Sequence, residues 1–102
     1  MRLEYYPAEK LKTELLSIFA KYIDLTGYRI FFFGSRVMGK GTERSDIDVG
    51  IEGPPLPPHV VSEIQEEAMN LRMLYKIDIV DFSAVSEKFR SVVGNRREYI
   101  TH

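Results

Sequence analysis

The sequence predicts an α/β (α+β) domain in which helices pack on a small mixed β-sheet of three or more strands. Two long segments place apolar residues at helical spacing, and three short runs are rich in β-branched and aromatic residues. These segments alternate along the chain, which indicates a sheet covered by helices. The chain has 102 residues, of which 44% are hydrophobic. We therefore expect one domain, residues 1–102, with its own core.

The first predicted element is an amphipathic helix over residues 7–23. Pro7 suits the first turn of a helix, and apolar residues recur at helical spacing at Leu11, Leu15, Phe19 and Tyr22. The segment 24–27 ends this helix. A β-rich run follows at residues 28–33 and stops at Gly34, which is typical of a central strand.

A second strand is predicted at residues 46–51, where polar positions alternate with Ile47, Val49 and Ile51. One face of this strand should belong to the core and the other should carry charge. The segment 53–58 that follows contains four prolines and cannot continue a strand or helix. We interpret it as a surface loop rather than a domain boundary, because about 50 residues on each side are too few for two cores.

The remaining elements are a second long helix, a third strand and a last helix. The second helix follows from apolar residues at helical spacing, namely Val60, Ile64, Ala68, Leu71 and Leu74. The third strand is predicted at residues 76–80. Ser83 can cap a last helix that runs to about Val93, and Gly94 is placed to stop it.

Composition excludes several classes of function. The chain carries 14 Lys+Arg against 15 Asp+Glu, so its net charge of -1 argues against a general polyanion binder and against nucleic acid as a direct partner. It has no cysteine, which excludes disulfides and thiolate metal sites. The longest apolar run, residues 30–33, is too short for a membrane span, and no signal-peptide pattern is present. We therefore expect a cytoplasmic protein.

Three acidic residues form the first candidate site. Asp46 and Asp48 lie two positions apart in a strand, so both carboxylates should leave the same face and repel each other unless a cation lies between them. Asp78 lies inside the third strand with the opposite parity to Ile77 and Ile79, so it should join the first pair. Oxygen ligands alone favour a hard ion such as Mg²⁺. The alternative is that these residues only decorate an exposed strand.

A candidate phosphate site follows the first strand. Gly34 lacks a Cβ, so backbone N–H groups can approach a polyanion there, and the Ser35 hydroxyl can add a hydrogen bond. Arg36, Lys40 and Arg44 lie in the following loop and could neutralise phosphate charge. The alternative is an ordinary turn and a solvated basic loop. If the first two strands pair antiparallel, the acidic and phosphate sites share one end of the sheet.

Taken together, these residues resemble a known family. Gly34-Ser35, ten intervening residues, Asp46-Ile47-Asp48 and a later strand-borne Asp78 look like the signature of the DNA polymerase β nucleotidyltransferase superfamily. The chain is most similar to the minimal nucleotidyltransferases of prokaryotes. The resemblance implies a nucleotidyltransferase (polymerase β palm-like) fold. It also implies an antitoxin that transfers AMP from ATP to a tyrosine of a HEPN-domain toxin.

The resemblance further implies a role for each site residue. Asp46 and Asp48 would coordinate two Mg²⁺ ions, and Asp78 would share the ion on the acceptor side. Gly34 and Ser35 would hold the β and γ phosphates of ATP. The acceptor oxygen would attack the α phosphorus in line, and pyrophosphate would leave.

Two other functions stay open at this point. One is a non-catalytic antitoxin with a nucleotide-sensing site, and the other is nucleotide transfer to a small molecule or an RNA end. Larger relatives carry a second domain that grips the base or acceptor, so we expect a homo- or hetero-oligomeric partner to complete the site. Candidate contacts for that partner are Tyr5, Tyr6 and Tyr99.

Overall fold

The computed structural model describes residues 7–34, 46–71 and 76–101. The helices are α1 (Ala8–Ala20), α2 (Pro58–Met69) and α3 (Glu87–Val93), and the strands are β1 (Arg29–Phe33), β2 (Ile47–Glu52), β3 (Ile77–Asp81) and β4 (Glu98–Tyr99). A 3-10 helix at Leu25–Gly27 connects α1 to β1. Within the described ranges, no helix combines the length and the apolar character that crossing a bilayer requires.

The four strands form one mixed sheet in the order β3-β2-β1-β4. β1 pairs antiparallel with β2 and β4, whereas β2 and β3 pair in parallel. The predicted α/β class, with helices on a small mixed sheet, is confirmed. The edge strand β4 was not predicted, because a pair of residues is too short to show a period. It is held by pairing with β1, and beyond it the Ile100 N–H donates to the Ile30 carbonyl at 2.7 Å.

The main core lies on the face of the sheet that α1 and α2 cover. Alternation in β2 and β3 directs Ile47, Val49, Ile51, Ile77 and Ile79 to this face, and all five are buried there, as predicted. The helices contribute residues at the predicted helical spacing, namely Leu11, Leu15, Ile18, Phe19, Ile64 and Ala68. This burial sets which face of β2 and β3 is left for polar residues.

The opposite face of the sheet carries a second, aromatic cluster. Phe31, Phe33 and Phe82 are buried there, and their rings meet edge to face, with centroids 4.9 Å apart for Phe31–Phe82 and 5.1 Å apart for Phe33–Phe82. Phe89 of α3 packs on the same rings, 5.7 Å from Phe82. β1 is therefore apolar on both faces. The contacts of α3 with this cluster hold the short helix against the sheet.

A nearly buried arginine fastens the chain after α3 to the aromatic cluster. The Arg97 guanidinium lies 4.4 Å from the Phe31 ring centroid and 5.3 Å from that of Phe82, which is cation–π geometry. It also bonds Glu52 at 3.1 Å and the Gly94 carbonyl at 2.9 Å. With its side chain only 9% exposed, Arg97 joins the end of β2 to the segment that leads into β4.

A polar contact ties α2 to the end of α1. Glu67 accepts hydrogen bonds from Lys21 Nζ at 2.6 Å and from the Tyr22 hydroxyl. The hydrogen bond to Glu67 raises the pKa of Tyr22 to about 12, and the hydrogen bond from Lys21 lowers the pKa of Glu67. Together with the buried face of α2, this contact sets the position of α2 beside the sheet.

Several element boundaries differ from the predicted ones. α1 ends at Ala20 rather than Ile23, because the Lys21 and Tyr22 N–H groups bond carbonyls three residues back and tighten the turn. α2 begins at Pro58, the last residue of the predicted loop. Proline fits there because the first helical N–H groups need no intrahelical partner. The predicted continuation of this helix to Leu74 lies outside the described residues.

The cap predicted for the last helix was wrong. Ser83 does not cap it, because its N–H and hydroxyl both donate to Asp81 Oδ1, at 2.9 and 2.7 Å. Ser86 is the cap, and its hydroxyl accepts from the Phe89 N–H at 3.1 Å. The helix ends at Gly94, as predicted. Asp81 therefore stabilises the turn between β3 and α3 rather than the helix itself.

The aromatic cluster leaves no space for a side chain at Gly50 in the middle of β2. A Cβ there would lie 2.5 Å from the Phe31 ring and 2.8 Å from that of Phe82. We expect Gly50→Ala to lower the free energy of unfolding by about 1–3 kcal/mol, the usual cost of overpacking. Urea denaturation of the purified variant measures this.

Gly27 provides the matched control for that substitution. A Cβ at Gly27 would have no atom within 4 Å. Gly27→Ala should therefore leave stability unchanged or raise it by about 0.4–1 kcal/mol, since alanine restricts the unfolded chain. Equal denaturation midpoints for the two variants would contradict the packing argument.

Candidate active site

Two carboxylates face each other across the parallel pair of strands. Asp48 of β2 is directly in register with Asp78 of β3. Residues in register on neighbouring strands share a face, and strands are about 4.8 Å apart, so these side chains are neighbours on the face opposite the main core. Both side chains are half-buried. The predicted parity of Asp78 with Asp48 is therefore correct.

Asp46 lies at the entrance to the same strand. It is exposed and immediately precedes β2, and the Ile47 N–H that follows it donates to the Lys76 carbonyl at 2.8 Å. This bond extends the parallel pairing to the first residue of β2. Asp46 thus lies at the same end of the sheet as the other two acids.

The three acids interact electrostatically. The pKa of Asp48 is raised above its usual value, first by burial and then by the negative charges of Asp78 and Asp46. The burial has a visible cause, because Asp48 is in register with Phe33 of β1, a member of the aromatic cluster. An anion held between an apolar surface and two other anions favours protonation or a bound cation.

Gly34 lies directly against Asp48. Its φ of +88° is in the left-handed region that glycine favours, and a Cβ at this position would overlap Asp48 Oδ2 and lie 3.3 Å from Cγ. β1 and β2 pair antiparallel, which is the condition for the two predicted sites to share one end of the sheet. Glycine is therefore required both by the backbone conformation and by the approach of the carboxylate.

Part of the predicted site is not described. The phosphate-site residues Ser35, Arg36, Lys40 and Arg44 lie outside the described residues, as do Tyr5 and Tyr6. Tyr99 is 44% exposed, and its ring lies 5.7 Å from that of Phe31. Within residues 7–34, 46–71 and 76–101, no three acidic or histidine side chains form a ready metal site, so Asp46, Asp48 and Asp78 would have to draw closer together to share an ion.

Sequence reasoning missed the C-terminal side of the site. A cavity of about 90 Å³ adjoins Gly34, and its lining includes Val92, Val93 and Arg96 among the described residues. The sequence signal for this side was the glycine that stops α3, which allows the following residues to turn back. The end of α3 and Arg96 therefore contribute to the surroundings of Gly34.

The arrangement has the chemistry expected for a cation site. Carboxylate oxygens are the ligands that Mg²⁺ prefers. The pKa of Asp48 is raised first by burial and then by the charges of Asp78 and Asp46, so its ionised form would gain from a nearby cation. The absence of a side chain at Gly34 gives the same carboxylate room beside the end of β1.

A family model and a known protein match this chain. The family model described as polymerase beta, nucleotidyltransferase matches residues 9–101. The probable protein adenylyltransferase MntA of Haemophilus influenzae is 29% identical over 93 residues, which cover 88% of this chain and 80% of MntA.

Solved structures agree with this match. A crystal structure of a toxin–antitoxin with AMP-PNP superposes with a TM-score of 0.70 at 19% identity, covering 87% of this chain and 71% of the other. The tri-AMPylated Shewanella oneidensis HEPN toxin in complex with MNT antitoxin gives a TM-score of 0.67 at 16% identity, covering 90% and 70%. The predicted nucleotidyltransferase fold is confirmed.

The raised pKa of Asp48 makes a prediction about stability. The folded state binds the proton of the Asp48 carboxyl more tightly than the unfolded chain does. The protonated carboxyl therefore stabilises the fold fully at low pH, and this stabilisation is lost as pH rises through the raised pKa of Asp48. We expect Asp48→Asn to increase the free energy of unfolding at pH 7, and this gain should vanish below about pH 3. Urea denaturation as a function of pH measures both.

Asp24 provides a control of opposite sign. Its pKa is lowered by hydrogen bonds from Thr26, so its ionised form stabilises the fold above the usual aspartate range. Asp24→Asn should therefore lower stability at pH 7. A loss of stability at pH 7 in both variants would refute the electrostatic account of Asp48.

The contact between Gly34 and Asp48 makes a second prediction. We expect Gly34→Ala to lower stability by about 1–3 kcal/mol because alanine is strained at positive φ, and also to displace the Asp48 carboxylate. The carboxyl ¹³C resonance of Asp48 should shift. Gly94→Ala carries a similar strain at φ +51°, but its Cβ would meet the Ser91 carbonyl at 3.3 Å rather than Asp48, so it should leave that resonance in place. An unmoved resonance in Gly34→Ala would disprove the contact.

Proposed function

The chain belongs to the polymerase beta nucleotidyltransferase family, and we propose that it transfers AMP from ATP to a hydroxyl group of a partner protein and releases pyrophosphate. The observation that carries this proposal is the register of Asp48 with Asp78, beside Gly34 at one end of the sheet. The name of the Haemophilus relative, probable protein adenylyltransferase, supports AMP as the group transferred and protein as the acceptor.

The partner that we propose is a HEPN-domain toxin, modified on a tyrosine and thereby silenced. The supporting comparison is the tri-AMPylated HEPN toxin bound to MNT antitoxin, whose fold this chain shares. The chain would then act as the antitoxin of the pair, in the cytoplasm. The partner would also cover the open side of the site, which in the described residues consists of strand ends and α3.

The metal-binding residues of this proposal are Asp46, Asp48 and Asp78. They would hold two Mg²⁺ ions, which when bound stabilise charge on the triphosphate and lower the pKa of the acceptor hydroxyl. The coupling of the three acids and the raised pKa of Asp48 support this assignment. Carboxylates that repel one another destabilise the fold when no cation is bound. Such a group is typical of a functional site rather than of a stabilising contact.

The remaining steps fall to the chain and its substrates. Backbone N–H groups at Gly34 and Ser35 would hold the β and γ phosphates, with Arg36, Lys40 and Arg44 neutralising their charge. Asp78 would accept the proton of the acceptor hydroxyl. The acceptor oxygen forms a bond to the α phosphorus while the bond from that phosphorus to the bridging oxygen breaks. Pyrophosphate leaves with the electron pair of that bond.

A transfer assay tests the proposal. The chain is incubated with Mg²⁺, ATP labelled in the α phosphate and the protein encoded by the neighbouring gene, which the proposal expects to be a HEPN-domain toxin. Label should reach a tyrosine of that protein, and Asp48→Asn or Asp78→Asn should lower the rate by about 100-fold or more, since the carboxylates act at the reacting phosphorus. Asp81→Asn retains the turn-forming side-chain oxygen and should transfer within about twofold of the native chain.

The outcomes separate the competing functions. Label that never reaches the partner, or a native rate in Asp48→Asn, would reject AMP transfer. If Asp46→Ala plus Asp48→Ala still neutralised the toxin at equal concentration, the chain would be a non-catalytic antitoxin. Label found on RNA or on a small molecule instead would keep the chemistry and replace the acceptor.

A further inference from the structure

The side chain of Gln65 makes two hydrogen bonds to the edge strand that carries Asp78. Its Nε2 donates to the Ile77 carbonyl at 2.6 Å, and its Oε1 accepts from the Ile79 N–H at 2.7 Å. These backbone groups belong to the residues immediately before and after Asp78. The Gln65 amide therefore bonds the backbone on both sides of Asp78.

The geometry of β3 explains why these groups are available. β3 is an edge strand, and the backbone groups at Lys76 and Phe82 are directed toward β2: the Ile47 N–H donates to Lys76 and the Phe82 N–H donates to Ile51, each at 2.8 Å. Alternation then directs the groups of Ile77 and Ile79 outward, where another strand would normally pair. The Gln65 side chain makes two of the hydrogen bonds that the backbone of a neighbouring strand would otherwise make.

Gln65 is itself held firmly. Its neighbours on α2, Ile64 and Ala68, are buried in the main core, and Glu67 ties the helix to α1. The amide therefore connects β3 to a helix that is fixed at several points. The outer edge of β3 cannot shift along α2 without breaking both bonds to Gln65.

We propose that Gln65 is a positioning residue that keeps Asp78 opposite Asp48. The inference rests on the proposed function, because it matters only if the two carboxylates act on the same metal–phosphate group. Pairing with β2 holds Asp78 from one side, and the Gln65 amide holds the same stretch of backbone from the other. Without the amide, β3 keeps one set of bonds and Asp78 gains freedom to move away from Asp48.

The surroundings of Gln65 are open to solvent, so its bonds to β3 should matter more for the position of Asp78 than for the stability of the fold. A groove of about 440 Å³, lined among others by Ser62, Glu66 and Met69, runs along α2 beside Gln65 and Ile79 and is open to solvent. Water can therefore hydrate the freed groups of Ile77 and Ile79 after truncation, so no buried polar group is left unpaired. Truncation should alter position far more than stability.

The test compares Gln65→Ala with Glu66→Ala, which makes an equally severe truncation on the exposed neighbour in the same groove. Mn²⁺ affinity, measured by electron paramagnetic resonance without acceptor, should fall by about 10-fold in Gln65→Ala, as is common for residues that position metal ligands. In the transfer assay, kcat should fall by about 10-fold while KM for ATP stays within about twofold. Exchange of the Ile79 amide hydrogen should quicken.

Glu66→Ala should match the native chain in every measurement. Gln65→Asn carries the same amide on a shorter side chain that cannot span both groups, so it should reproduce the Gln65→Ala pattern and serves if that variant is poorly folded. Native kcat and Mn²⁺ affinity in both Gln65 variants would overturn the inference, as would equal losses in Glu66→Ala. If the native chain transfers no AMP, the proposed function fails, and Mn²⁺ affinity alone still decides whether Gln65 positions Asp78.

Discussion

The parallel pairing of β2 with β3 is the constraint on which the rest of this structure depends. It places Asp48 beside Asp78, two like charges on one face, while Ile47, Ile77 and their neighbours fill the core on the other. Each fully buried isoleucine contributes about 1.5–3 kcal/mol. A slip of one residue would bury the acids and expose the isoleucines. Burial of the isoleucines therefore stabilises this register, although the register places two carboxylates side by side that repel each other.

The face of the sheet opposite the main core carries both aromatic rings and carboxylates. Aromatic rings lie on β1 and beyond the end of β3, where Phe82 follows the strand, and the acids lie at the starts of β2 and β3. Asp48 lies at the boundary, in register with Phe33, and this is why burial is the largest contribution to its raised pKa. The same boundary requires a residue without a side chain at Gly34. The pairing of β1 with β2 thus brings the Asp48 carboxylate and its apolar neighbour Phe33 together.

The helix α2 connects the main core to the acidic site. One of its faces is buried, Glu67 bonds α1, and Gln65 bonds the edge of β3. These contacts lie within one helix, so a disturbance of the core would be transmitted to the strand that carries Asp78. On the other face of the sheet, Arg97 fastens the chain after α3 in a comparable way, joining the aromatic cluster to Glu52.

The sequence by itself determined the three helices, the first three strands, the buried parity of β2 and β3 and the trio of acids, because periodicity and motif spacing are carried by nearby residues. Tertiary structure alone decided that Asp48 meets Phe33, that Gln65 completes the edge of β3, and that Tyr99 lies in a fourth strand. Those relations join residues far apart in the chain, as Thr101 Oγ1 does when it accepts from the Ile30 N–H at 3.0 Å. No local pattern encodes them, since they arise only when the sheet and its helices pack together.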